Sequence, residues 1–218
     1  MLINRFSPTI KTNTEAVKVF CAKSTMIPYS VELVYLPYLM FNYKVVMTMF
    51  SGKQRHNEGL FLVDMSTGIP INIKGKLKLK ISPEVKNELG KLVSGYPDEV
   101  DPKNPLAIEK YEAAGEQVFP VILDNTEAID KGKRLLLYDM MKLFGAYRYK
   151  NFDIVPEKSN TRIIHYPYWL IYHKDNKEGM KFSVLDALNK HRETGQIINA
   201  IKKAMVKSWD ADFGQVMN

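Results

Sequence analysis

Two aspartates close similar apolar runs, Leu60-Phe61-Leu62-Val63-Asp64 and Phe182-Ser183-Val184-Leu185-Asp186. A carboxylate just past a strand can serve as a general base or a metal ligand. The stretch Asp64-Met65-Ser66-Thr67-Gly68 also has the composition of a turn whose Asp side chain caps its own backbone, and that reading is preferred. The histidines offer no ligand set. His165 and His173 share a strand face by parity, but eight residues of strand span more than about 25 Å at roughly 3.3 Å per residue. His56 and His191 fall in expected loops. There is no Cys-x-x-Cys, His-Glu-x-x-His or His-x-His pattern, so neither a metal nor a cofactor is expected. Cys21, the one cysteine, sits in an apolar helical pattern and reads as a core residue rather than a thiolate nucleophile. No Gly-x-Ser-x-Gly elbow, Walker loop or dinucleotide fingerprint can be drawn. A hydrolase or transferase with an unmarked acid–base site near Asp64 or Asp186 is the last of three functional readings, and the balance leans against an enzyme.

Basic and aromatic residues point elsewhere. In Lys74-Gly75-Lys76-Leu77-Lys78-Leu79-Lys80 a lysine stands at every second position. On a strand, Lys74, Lys76, Lys78 and Lys80 would form a row able to track a phosphate backbone while bases stack on nearby rings. Arg148 and Lys150, in Tyr147-Arg148-Tyr149-Lys150, repeat this interleaving. Nucleic-acid binding is thus the second reading. The alternative for the row, which is preferred, is an edge strand guarded by lysines.

The first reading rests on a pattern that occurs twice. Val34-Tyr35-Leu36-Pro37-Tyr38-Leu39-Met40-Phe41 and Ile164-His165-Tyr166-Pro167-Tyr168-Trp169-Leu170-Ile171 each precede a polar, glycine-containing stretch and then the Asp-terminated apolar run. The Tyr-Pro runs read as strands. Proline cannot donate to a ladder, so Pro37 and Pro167 are expected at an edge, a strand start or a bulge. Tyr166, Tyr168, Leu170 and Tyr172 share one face, and His165, Trp169, Ile171 and His173 the other. Both faces are apolar, so the strand is either buried on both sides or offers an aromatic binding surface on one. Tyr35, Tyr38, Tyr166, Tyr168, Trp169 and Tyr172 are the candidate anchors for a protein partner or for self-association.

The elements that would position these residues follow from periodicity and breakers. Thr14–Lys23 and Lys133–Phe144, the latter closed by Gly145, read as helices. So does Pro83–Leu92 behind the cap Ser82. A basic amphipathic helix runs from Gly195 to Ser208 with Lys202, Lys203 and Lys207 off its apolar stripe. Hairpin tips are expected at Ser51–Gly59 and Lys174–Gly179, the first longer because insertions are tolerated at tips. A short helix is expected over Leu106–Ala114, followed by extended chain over Val118–Leu123. The expected fold class is therefore α+β: two related antiparallel hairpin-plus-helix modules, an internal duplication, with a central helical insert. Module boundaries fall at 1–95 and 131–218, with a connector and helical insert over 96–130.

Bulk properties are compatible with this. The chain has 218 residues, 45% hydrophobic and 25% charged, which is ordinary globular composition. A net charge of +7 favours acidic partners, though it also lies within the range that keeps proteins soluble. High Lys, Asn and Ile usage hints at an AT-rich bacterial or phage genome. The N-terminal residues lack the apolar core of a signal peptide. Val31–Phe50, the most apolar stretch, is interrupted by Glu32, Pro37, Asn42 and Lys44, so no membrane span and a cytoplasmic location are expected. The leading expectation is a non-enzymatic binding or assembly protein.

Overall fold

A computed structural model describes residues 1–71, 79–81, 106–144, 149–156, 161–175, 179–193 and 195–216. In chain order the elements are β1 (Leu2–Phe6), α1 (Asn13–Cys21), β2 (Pro28–Met49), β3 (Gln54–Asp64), β4 (Pro70–Ile71), β5 (Leu79–Ile81), β6 (Leu106–Glu112), β7 (Gln117–Val118), α2 (Asn125–Phe144), β8 (Tyr149–Pro156), β9 (Arg162–Asp175), β10 (Gly179–Asp186), β11 (Arg192–Glu193) and α3 (Gln196–Val216).

The α+β two-module expectation is overturned. The eleven strands described belong to one mixed sheet, and among the described residues strand outweighs helix. The two Tyr-Pro strands do not head separate modules. They pair antiparallel with each other as β2 and β9, from Pro28↔His173 to Met40↔Arg162. The insert is not helical either: Leu106–Glu112 is β6, antiparallel to β1. Its Ala, Glu and Lys favour a helix locally, but pairing along β1 supplies what isolated propensity cannot. The helix expected at Pro83–Leu92 lies outside the described residues.

The sheet is covered on both faces, which explains the doubly apolar strands. Most odd-numbered residues of β2 and β9 meet α1 and α2, while Tyr35 meets Arg5 and Tyr111 of β1 and β6. Phe20 and Ala16 of α1 pack with Trp169, Ile171 and Leu185, while Ala128 and Ile129 of α2 pack with Leu39, Phe41 and Val63. Even-numbered residues form the central core: Leu36, Tyr38, Met40, Tyr166, Tyr168 and Leu170, closed by Ala200, Ile201 and Ala204 of α3. Each large apolar side chain so buried contributes roughly 1.5–3 kcal/mol relative to exposure.

The prolines sit mid-strand, not at an edge. Pro37 and Pro167 occupy the central β2–β9 ladder opposite His165 and Tyr35. The Pro37 carbonyl accepts from Met65 N at 2.9 Å and the Pro167 carbonyl from Ala187 N at 3.3 Å. In a strand, N and O of one residue point to the same side, so each proline nitrogen also faces away from the β2–β9 ladder. There β3 and β10 have just ended, and no ladder donor is lost.

The surroundings of the two prolines correspond closely. Met65 O accepts from Ile122 N and Leu123 N, and Ala187 O from Thr9 N and Ile10 N. The helices then start on the same words, Asn13-Thr14-Glu15-Ala16 and Asn125-Thr126-Glu127-Ala128. Thr12 caps α1 in a reciprocal box with Glu15, and Asp124 Oδ1 accepts from Glu127 N at 2.9 Å. Most of the extra length of the first hairpin extends the β2–β3 ladder, to Thr48↔Gln54, and only the remainder lengthens the tip.

Candidate functional site

The six aromatic residues expected to form a contact surface are inside. Tyr35, Tyr38, Tyr166, Tyr168 and Trp169 are buried, and Tyr172 is partly buried against the central core. The physical reason is the double covering of the sheet: each face of the Tyr-Pro strands already has a helix on it. Tyr38 and Tyr168 meet hydroxyl to hydroxyl at 3.1 Å, and Tyr166 OH donates to Asp186 Oδ2 at 2.9 Å. Trp169 Nε1 donates to Ile10 O at 3.0 Å. Burial drives the Tyr38, Tyr166 and Tyr168 phenols well above their ordinary range, with nearby carboxylates adding to the effect. Burial also pushes Tyr35 up to about 12 against the opposing pull of Arg5, whose guanidinium donates to its hydroxyl. These phenols stay neutral and act as hydrogen-bonding pillars of the core.

Asp64 and Asp186 are turn caps, and they do not converge. Asp64 Oδ1 accepts from Ser66 N at 2.8 Å and Oδ2 from Thr67 N at 2.9 Å. Asp186 Oδ1 accepts from Leu188 N at 2.7 Å and Asn189 N at 3.0 Å. Burial raises the Asp64 carboxyl, and the bonds from Thr67 and Ser66 oppose that rise. A carboxylate saturated by its own turn is poorly placed to take a substrate proton.

Lys74, Lys76, Lys78 and Arg148 lie outside the described residues. Lys80 is on β5, and Lys150 is exposed on β8. No group of His, Cys, Asp or Glu among the described residues could hold a metal ion. None of the described helices is long and apolar enough to cross a membrane. Cys21 is exposed rather than in the core.

One polar constellation escaped the sequence reading. His173 Nε2 lies 3.0 Å from Ser183 Oγ, and Arg192 Nη2 donates to the same oxygen at 2.7 Å. Phe20 of α1 stacks on the His173 ring at 6.0 Å, with the Arg192 guanidinium 5.5 Å from the Phe20 ring. A serine bonded to a histidine has the parts of a nucleophile and its base. Here Ser183 is only 2% exposed beneath α1, so the pair is sealed from substrate. At the corresponding place on the first hairpin Tyr43 packs edge-on against Phe61. Strand alternation alone could have placed His173 and Ser183 on one face, but not Arg192 beside them.

Three of the exposed apolar residues gather at a strand edge instead. Ile27 is 84% exposed, Tyr29 72%, and Met26 is also exposed. They flank the start of β2, which from residue 28 to 33 pairs with β9 on one side. On its other side no described strand pairs before Val34, where β7 begins. Across β9, Pro28, His173 and Lys181 stand in one row, and exposed Met180 follows next to Lys181. Nothing in the sequence periodicity marked this edge, because its residues become an edge only through the sheet order.

No family model, curated protein or solved structure matches this chain.

Proposed function

We propose that the chain is a non-enzymatic protein-binding or assembly protein whose contact is made at the N-terminal end of β2. The observation carrying this reading is the exposed Met26, Ile27 and Tyr29 around Pro28, beside a strand edge that no described strand pairs. Such an edge offers alternate N–H and C=O groups to an extended strand, and apolar side chains beside it supply desolvated anchors. Exposed apolar clusters of this kind are rare on proteins with no partner. No lysine falls between Thr25 and Leu33, and Glu32, the one charge in that run, accepts from the Tyr172 hydroxyl; Pro28 and the register shift at Tyr29 leave Ser30–Leu33 as the regular open stretch. The partner best fitted is an extended segment of another protein with apolar residues at alternate positions.

The test compares the wild-type chain with Ile27→Asp/Tyr29→Asp as baits, after nuclease treatment and at high salt. Both positions are exposed, so the double variant should fold with its melting temperature unchanged within a few degrees. The wild type should retain protein partners that the variant loses. An identical captured set on both baits would overturn the edge assignment. Recovery of nucleic acid alone, lost steeply with rising salt, would replace it with nucleic-acid binding.

A further inference from the structure

The outward side of α3 does not look like an ordinary solvated helix face. Its inward residues Ala200, Ile201 and Ala204 are fixed in the central core, with Ile197, Ile198 and Met205 packed beside them. Outward, Lys202, Lys203 and Lys207 are exposed, and between them stand Val206, 52% exposed, and Trp209, 56% exposed. Residues 202, 206 and 209 follow helical spacing and form one stripe, with 203 and 207 alongside. From Gln196 to Trp209 the helix carries three lysines and no acidic residue; Asp210 and Asp212 then end the basic stretch.

We infer that this Lys-Val-Trp face of α3 docks on an anionic lipid surface. Indole and valine side chains enter the boundary between headgroups and acyl chains, and lysine stems extend so that their ammonium groups reach lipid phosphates. Each lysine near such a surface adds attraction that falls off within a Debye length. A lipid surface fits better than nucleic acid because Val206, half of the apolar pair, has neither a ring to stack on a base nor a donor for phosphate. The helix does not span the bilayer; it lies along it with its other face held by the protein core.

Trp209 makes the test direct. The chain has two tryptophans, and Trp169 is buried with its indole N–H bonded at 3.0 Å, so an emission shift on binding reports Trp209. The full chain is titrated with vesicles of phosphatidylcholine alone and of phosphatidylcholine with phosphatidylglycerol. A blue shift and co-sedimentation are expected with the anionic vesicles only. Lys202→Glu/Lys203→Glu should weaken binding by about tenfold or more, and Val206→Gln should reduce the blue shift, with both variants keeping the wild-type melting temperature. Absence of a shift with anionic vesicles would overturn the inference. So would equal binding to both vesicle types, or a shift produced by a single-stranded oligonucleotide and not by vesicles.

Discussion

The hydroxyls of Tyr38 and Tyr168 meet at 3.1 Å in the interior of the sheet's central core, each the other's hydrogen-bond partner. Tyr38→Phe leaves the Tyr168 hydroxyl buried and unpaired, and should cost about 1–3 kcal/mol in urea denaturation. Tyr38→Phe/Tyr168→Phe should cost less than the sum of the two single changes, because no orphan remains. Glu193 governs a second residue-scale effect. It stands opposite Val184, and burial, then the Asp186 carboxylate, lifts its carboxyl to about 7. The folded state therefore favours the protonated form more than the unfolded chain does. That contribution is fully present below pH 4.5 and is lost as pH rises through 7. His165, lowered by burial, acts in the opposite sense, losing stability as pH falls through its folded value. The informative quantity is thus the difference between wild type and Glu193→Gln. The melting temperature of the variant should gain on that of the wild type between pH 6 and pH 8. A constant difference across that range would show that Glu193 does not titrate there.

Among the elements, α2 carries a glycine that helix propensity alone misjudges. Replacing a helix-interior glycine by alanine normally gains up to about 1 kcal/mol. A Cβ on Gly132 would lie 2.4 Å from Val63 Cγ2 and 2.9 Å from Phe61 Cε1. Gly132→Ala should therefore destabilise the chain, by about 1–3 kcal/mol from overpacking, measured by the same denaturation; a stabilising result would mean α2 can lift off β3. Much at this scale was legible in sequence. Both Tyr-Pro strands, their return strands, α1, the later part of α2 and most of α3 follow from periodicity and breakers. The expected helix begins at Lys133 rather than Asn125, although Asn125-Thr126-Glu127-Ala128 repeats the opening of α1, because the dense apolar run that marks a helix starts only at Leu135. β6 was misread because Leu106–Glu112 is a strand only by virtue of its pairing with β1. Which face of a Tyr-Pro strand is wet depends on the helices that cover it, and no local pattern encodes that.

For the whole molecule, the consequence is a division of labour between interior and edge. The aromatic residues that look most like binding anchors hold one sheet together across both halves of the chain, with Phe6 and Phe119 closing the same core. The proposed contacts with partners lie at places the sheet leaves open: the N-terminal edge of β2 and the outer face of α3. His173 and Ser183 are buried, with the exposed Arg192 bonded to Ser183 from outside. Residues at either proposed contact face are set by sheet order and helix docking, which local sequence patterns do not carry, whereas the six aromatic residues the sequence offers lie buried or half-buried in the core.

Amide hydrogen exchange followed by mass spectrometry tests this account most directly, because it reads interior and edge in one experiment. Peptides covering Val34–Phe41 and Ile164–Ile171 should exchange slowest, and together, since they form one ladder covered on both faces. Peptides covering Met26–Leu33 should exchange markedly faster in the isolated chain, through the amides on the unpaired side of β2, and become protected when a protein partner is added. Rapid exchange in either Tyr-Pro strand, or protection on partner binding that appears there and not at Met26–Leu33, would contradict it.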